Sequence, residues 1–144
     1  MNWQKEAVND LKSYVARKMS IDNMNQRIAE LERRAIRLGS MSSDIPVQGG
    51  SSKNEDAIIN NIAERDRLVQ AIDAAQCLVT IIENGLSVLD EEERKVLDGF
   101  YIHPSTRHVD KLCDELHCEK SRIYSIKDKA LYKFTLAMYG VIDL

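Results

Sequence analysis

Residues 109–134 read VDKLCDELHCEKSRIYSIKDKALYKF, and the spacing of their apolar side chains decides the fold. Val109, Leu112, Cys113 and Leu116 fall on one face of a short helix. Ile123, Ile126, Ala130, Phe134 and Ala137 recur at three- and four-residue steps and form the buried stripe of a second helix. Between them His117-Cys118-Glu119-Lys120 leaves room only for a tight turn. Two short helices joined in this way, the second apolar inside and polar outside, satisfy the geometry of a helix-turn-helix. A small residue at Cys113 lets the helices approach closely. Across residues 119–139, Lys120, Arg122, Lys127, Lys129 and Lys133 stand against only Glu119 and Asp128, so the second helix is basic.

Upstream, Asp90-Glu91-Glu92-Glu93 has the spacing of a capping box, with Asp90 as N-cap and Glu93 three residues on. That helix runs through Val96, Leu97 and Phe100-Tyr101 and closes at Pro104, after which Ser105-Thr106 can cap the next. Further back, Ile21, Met24, Ile28, Leu31, Ala35 and Leu38 form a heptad seam. Gly39 reads as its stop, and Ser40–Ser52, with Pro46 and Gly49-Gly50, reads as a flexible connection. Ser52 and Glu55 have capping-box spacing, and the stripe Ile58, Ile62, Leu68, Ile72, Ala75, Val79, Ile82 is the natural mate of the first seam. Asn84-Gly85 then marks a break. The predicted fold is all-α: a long N-terminal helical hairpin over residues 1–85 with a loop at 39–53, and a C-terminal helix-turn-helix domain over residues 86–144. The two stripes are more apolar surface than one hairpin needs. They predict a homo-dimer or small homo-oligomer assembled through Ile21, Met24, Ile28, Leu31, Ile72 and Val79. Trp3 is expected to pack on the hairpin or on a second subunit.

Composition narrows the function. The chain of 144 residues has a formal net charge of -3, which argues against indiscriminate polyanion binding, but the charge is uneven. Residues 1–38 carry eight Lys/Arg against five Asp/Glu, and residues 39–85 carry three against seven. No apolar run approaches the ~18 residues of a membrane span, and the opening residues lack a signal-peptide apolar stretch. Three cysteines without a CxxC pair suit reduced thiols, and together these features predict a cytoplasmic protein with no membrane partner. Cys113, Cys118, His103, His108 and His117 crowd one region, yet their spacings match no zinc pattern, so no metal or other cofactor is expected. No nucleophile-base set, phosphate loop or metal-hydrolase motif is present, and an enzyme is not expected.

The stretch Val109–Phe134 resembles region 4 of the bacterial sigma factors without a gap, and LSVLDEEERKVLDGFYI from Leu86 resembles the helix that introduces that domain. The wider order is a Lys/Arg-bearing helix, a loop reading VQGGSSKNED, a second long helix and a sigma-like helix-turn-helix. That order resembles the ArpU/RinA-type phage regulators of late-gene transcription. The resemblance implies a sequence-specific transcription regulator that binds double-stranded DNA upstream of packaging and structural genes in the host bacterial cytoplasm, with host RNA polymerase as a possible further partner. It also implies Lys120, Ser121, Tyr124 and Ser125 as major-groove readers, with Arg122 and Lys129 toward phosphates. Glu119 stands where a Ser/Thr cap is more usual, and Tyr124 replaces a site that is often basic. Two readings of other classes stay open: a small terminase-like DNA-recognition subunit for packaging, and a polymerase-interacting module without DNA readout of its own.

Overall fold

The structure is a computed structural model that describes residues 1–44 and 51–142. Among these residues the chain is all-α, without strands. Five helices follow in order: α1 (Trp3–Asp44), α2 (Ser51–Leu86), α3 (Glu91–Leu97), α4 (His108–Leu116) and α5 (Lys120–Tyr139). A π-helical turn, Asp98–Ile102, continues α3.

Packing divides the chain into two compact units, Met1–Arg17 with Cys77–Leu144, and Lys18–Gln76. The expected boundary at residue 85 is therefore not where the packing divides. Ala7 and Leu11 of α1 and Ile82 and Leu86 of α2 belong to the same core as Leu97, Ile102, Ala130, Leu131 and Phe134. Trp3 stacks obliquely on Tyr139 at the end of α5, with ring centroids 5.0 Å apart. The Tyr139 hydroxyl donates to the Asp10 carboxylate. Burial first, and this hydrogen bond second, push the Tyr139 phenol well above its ordinary pKa.

Within the unit Lys18–Gln76, the first seam faces inward as expected. Leu31 is buried, and Ile21, Met24, Ile28, Ala35 and Leu38 are half-buried. On α2 the inward line is Ile58, Asn61, Arg65, Leu68, Ile72 and Ala75, an unbroken alternation of three- and four-residue steps. The expected Ile62 is exposed, because the regular register passes through Asn61 instead. Asn61 is buried; its Nδ2 donates to Leu31 O at 2.8 Å and its Oδ1 accepts from Arg65 Nε at 2.9 Å. A polar side chain at such a position pins the register of two helices, since any slip leaves a buried amide unpaired.

Several expected breaks are absent. Gly39 does not stop α1, which runs on to Asp44, and α2 begins at Ser51, so Ser52 is helical rather than its N-cap. A lone glycine costs a helix only about 1 kcal/mol against alanine, which its neighbours can outweigh. Of the expected 39–53 loop, residues 45–50, with Pro46 and Gly49-Gly50, lie outside the described residues. Asn84 and Gly85 belong to α2, which ends where the Ser87 amide and hydroxyl bond back to Glu83 O and Asn84 O. Gly85 has a packing reason: a Cβ there would stand 2.8 Å from Phe134 Cε2 and 2.9 Å from Met138 Sδ.

The two helical glycines predict opposite outcomes for one substitution. A Cβ on Gly39 meets nothing within 4 Å. Gly39→Ala should stabilise by about 0.5 to 1 kcal/mol through backbone entropy. Gly85→Ala should destabilise by about 1 to 2 kcal/mol, because the fully buried Phe134 ring must move. Urea denaturation of both variants and the parent checks the pair.

Candidate nucleic-acid interface

The candidate surface is the outer face of α5, and its placement begins at α3. Glu93 N donates to Asp90 Oδ1 at 2.8 Å and Asp90 N donates to Glu93 Oε1 at 3.2 Å, so the capping box forms as the spacing predicts. Glu93 is only 4 % exposed, and its Oε1 also accepts from Lys133 Nζ of α5 at 3.0 Å. A buried carboxylate is costly unless paired. This one uses the start of α3 to hold the middle of α5, forty residues away.

The π-helical turn then delivers Phe100. The i→i+5 bond from His103 N to Asp98 O, 2.7 Å, closes the turn, and His103 Nδ1 lies 2.8 Å from Asp98 Oδ1. Gly99 lets α4 come close, since a Cβ there would stand 3.1 Å from Leu112 Cδ1. Phe100 meets His108 edge-on at 4.7 Å and Tyr124 edge-on at 5.8 Å, and lies tilted against Tyr101 at 5.9 Å. Lys127 Nζ sits 5.8 Å from the Phe100 centroid and 5.9 Å from that of Tyr124, within cation-π range.

α4 starts from Arg107 in the left-handed region (φ 58°) without a side-chain cap, so Ser105 and Thr106 do not cap it. It ends at left-handed His117 (φ 52°), and α5 begins at Lys120 behind an N-cap, Glu119, whose side chain makes no capping bond. Val96, Leu112 and Ile123 form the small core beneath this turn. Ile123, Ala130, Leu131 and Phe134 of α5 are buried and Ile126 is half-buried, whereas the expected Ala137 is exposed because Thr135 and Met138 take the inward positions.

Lys120, Ser121, Arg122, Tyr124, Ser125 and Lys129 are all exposed on the opposite face. Their electrostatic states differ. Lys120 Nζ lies 3.5 Å from Asp110 of α4, an exposed pair of small energetic weight. Tyr124 is about half exposed but anchored on Phe100. Arg122 has no ion pair among the described residues, and the Lys129 charge bears on Asp90. Lys127, one of the cations of the basic helix but not among the expected site residues, pairs with Asp128 at 2.9 Å; that hydrogen bond holds its pKa above the ordinary value against burial. Its signal was available as a cation three residues after an aromatic on one helix face.

The expected oligomerisation residues are not equally available. Leu31 and Val79 are buried within one chain, and Ile21, Met24, Ile28 and Ile72 are half-buried. Among the described residues, the large apolar side chains that stay exposed on the unit Lys18–Gln76 are Met19, Ile36, Ile59, Ile62 and Val69. An open cleft of 410 Å³ beside α3 and α4 is lined by Arg94, Lys95 and Lys111 together with Glu91, Asp98 and Glu115. Its charges compensate, so it favours neither sign of ligand. No group of three or more His, Cys, Asp or Glu side chains among the described residues is placed to hold a metal ion. No described helix is long and apolar enough to cross a membrane. No family, curated protein or solved structure matches the chain.

The capping box predicts a pH dependence. The Glu93 amide bonded to Asp90 holds that carboxyl below its ordinary pKa, with Lys133 and Lys129 adding to it. The hydrogen bond from Arg33 does the same for Glu30 on α1. A depressed carboxyl stabilises the fold above its unfolded pKa and loses that contribution as pH falls through the folded one. Thermal stability should therefore decline below the ordinary carboxylate range. Asp90→Asn keeps a capping side chain and removes the titration. Melting curves across acid pH should show a shallower decline for this variant than for the parent.

Proposed function

We propose that the chain is a sequence-specific, double-stranded DNA-binding transcription regulator. In this reading α4 and α5 form a helix-turn-helix and α5 enters the major groove. The observation that carries it is the division of α5: Ile123, Ala130, Leu131 and Phe134 are buried, while Lys120, Ser121, Arg122, Tyr124, Ser125 and Lys129 are exposed on one polar, basic face. The first turn of a helix so presented is the part that reaches base edges. The same stretch resembles sigma factor region 4, and the whole chain resembles the ArpU/RinA-type regulators. On that resemblance the reading is an activator of phage late packaging and structural genes, acting in the bacterial cytoplasm with host RNA polymerase as a possible contact.

In the same reading, α1 and α2 form a hairpin that serves self-association as a homo-dimer or small homo-oligomer. With Leu31 and Val79 occupied inside one chain, the contact falls to the apolar side chains left exposed, chiefly Ile59, Ile62 and Val69. A two-fold assembly would present two copies of α5 to two half-sites. The charge pattern divides labour on α5. Lys120, in the first turn, is assigned to a base edge, and Arg122 and Lys129 to phosphates.

Titration of single variants against a mapped genomic site and a scrambled one, at several salt concentrations, tests the reading. Lys120→Ala should weaken the mapped site by about 1 to 3 kcal/mol and flatten the preference between the two DNAs. Arg122→Ala and Lys129→Ala should weaken both DNAs alike and reduce the salt slope by about one unit each. Parent-like binding by all three variants would remove the assignment of α5.

A further inference from the structure

The turn between α4 and α5 carries two thiols whose positions are fixed by its backbone. His117 is left-handed (φ 52°, ψ 48°) and its amide bonds back to Cys113 O. The next amide, that of Cys118, reaches the same oxygen at 3.3 Å. In a helix ending with this six-to-one bond, the side chain of the residue giving the amide frequently meets that of the residue giving the carbonyl or of the one before it. Here the residues giving the amide and the carbonyl are both cysteines. Standard backbone dimensions limit the separation of their Cα atoms to roughly 7 Å across that hydrogen bond. Disulfides span about 4.4 to 6.8 Å. Both side chains are half-buried and both pack against the one small core formed by Val96, Leu112 and Ile123, which places them on the core-facing side of the turn. The third thiol, Cys77, is exposed on α2 and has no such arrangement.

We propose that Cys113 and Cys118 form a reversible disulfide across the α4–α5 turn, with a small disulfide of the glutathione type as the oxidant. The Cys118 thiolate attacks one sulfur of the oxidant and expels one small thiolate, leaving a mixed disulfide on Cys118. The Cys113 thiol gives its proton to water, and its sulfur attacks Cys118 Sγ and expels the second small thiolate. Two protein thiols are oxidised and one small disulfide is reduced to two thiols. Burial, and next the neighbouring Cys118, push the Cys113 thiol up, in keeping with its acting second. The bond ends two residues before Lys120, so it ties down the turn from which α5 starts. That it would thereby act on DNA binding rests on the function proposed above; the disulfide itself does not.

The test uses the full chain carrying Cys77→Ser, equilibrated with mixtures of reduced and oxidised glutathione and quenched with acid. Intact mass should show a monomer lighter by two hydrogens, with the link mapped to the peptide joining Cys113 and Cys118. Adding Cys113→Ser should instead stop the reaction at a glutathione adduct on Cys118. The folded chain should form the bond at a ratio of oxidised to reduced glutathione about tenfold or more below that needed in urea, because folding holds the thiols together. Two free thiols, persistent adducts without Cys113→Ser, linked dimers, or equal behaviour in urea would each overturn the proposal. Titrating the oxidised and reduced forms with DNA is a separate arm. Loss of DNA binding in both forms counts against the function and leaves the mass result standing.

Discussion

The Glu93 carboxylate is the interaction on which the arrangement of the C-terminal helices depends. Its Oε1 accepts both the Asp90 amide and the Lys133 ammonium, so one buried oxygen closes the cap of α3 and fixes α3 against α5. Such a group is tolerated inside only while its partners stay in place. Breaking it removes a helix cap and strands a buried charge together. Its two hydrogen bonds are directional, so they fix the register in which the apolar side chains of α3 and α5 meet.

From that fixed point the two halves of α5 serve different ends. The N-terminal half rests through Ile123 on Val96 and Leu112, a small core that leaves the outer face exposed. The C-terminal half is gripped by Ala7 and Leu11 of α1 and by Ile82 and Leu86 of α2 through Leu131 and Phe134. On the proposed function, this anchor would hold α5 in place while its outer face met DNA. The grip at Phe134 also depends on what is missing at Gly85, where any side chain would occupy the ring's space.

Among the described residues, specific polar contacts tie distant elements. Asn61 bonds to Leu31 O, Tyr139 to Asp10, Lys133 to Glu93 and Arg94 to Leu86 O, and each satisfies a group that would be costly to leave unpaired. The outer face of α5 follows a different rule. Its cations have exposed partners or none, which leaves them free to exchange those partners for others.

How much of this was legible in the sequence divides along physical lines. Periodicity determined the all-α class, the inward stripe of α5 and the first seam, because burial of one helix face requires apolar residues every three or four positions. Local spacing determined the Asp90–Glu93 capping box, because its donors and acceptors lie within one turn. The exposed set from Lys120 to Lys129 was legible for the same reason, as the complement of the buried stripe. What only the tertiary structure decided needed a partner remote in sequence. Asn61 displaces Ile62 from the seam because Leu31 O waits for it. Glu93 is structural because Lys133 reaches it, and Gly85 lies in a helix at a point where Phe134 fills the space a side chain would need. Residues 1–17 join the C-terminal core because Trp3 and Asp10 find Tyr139, and no spacing along the chain encodes a contact across more than a hundred residues.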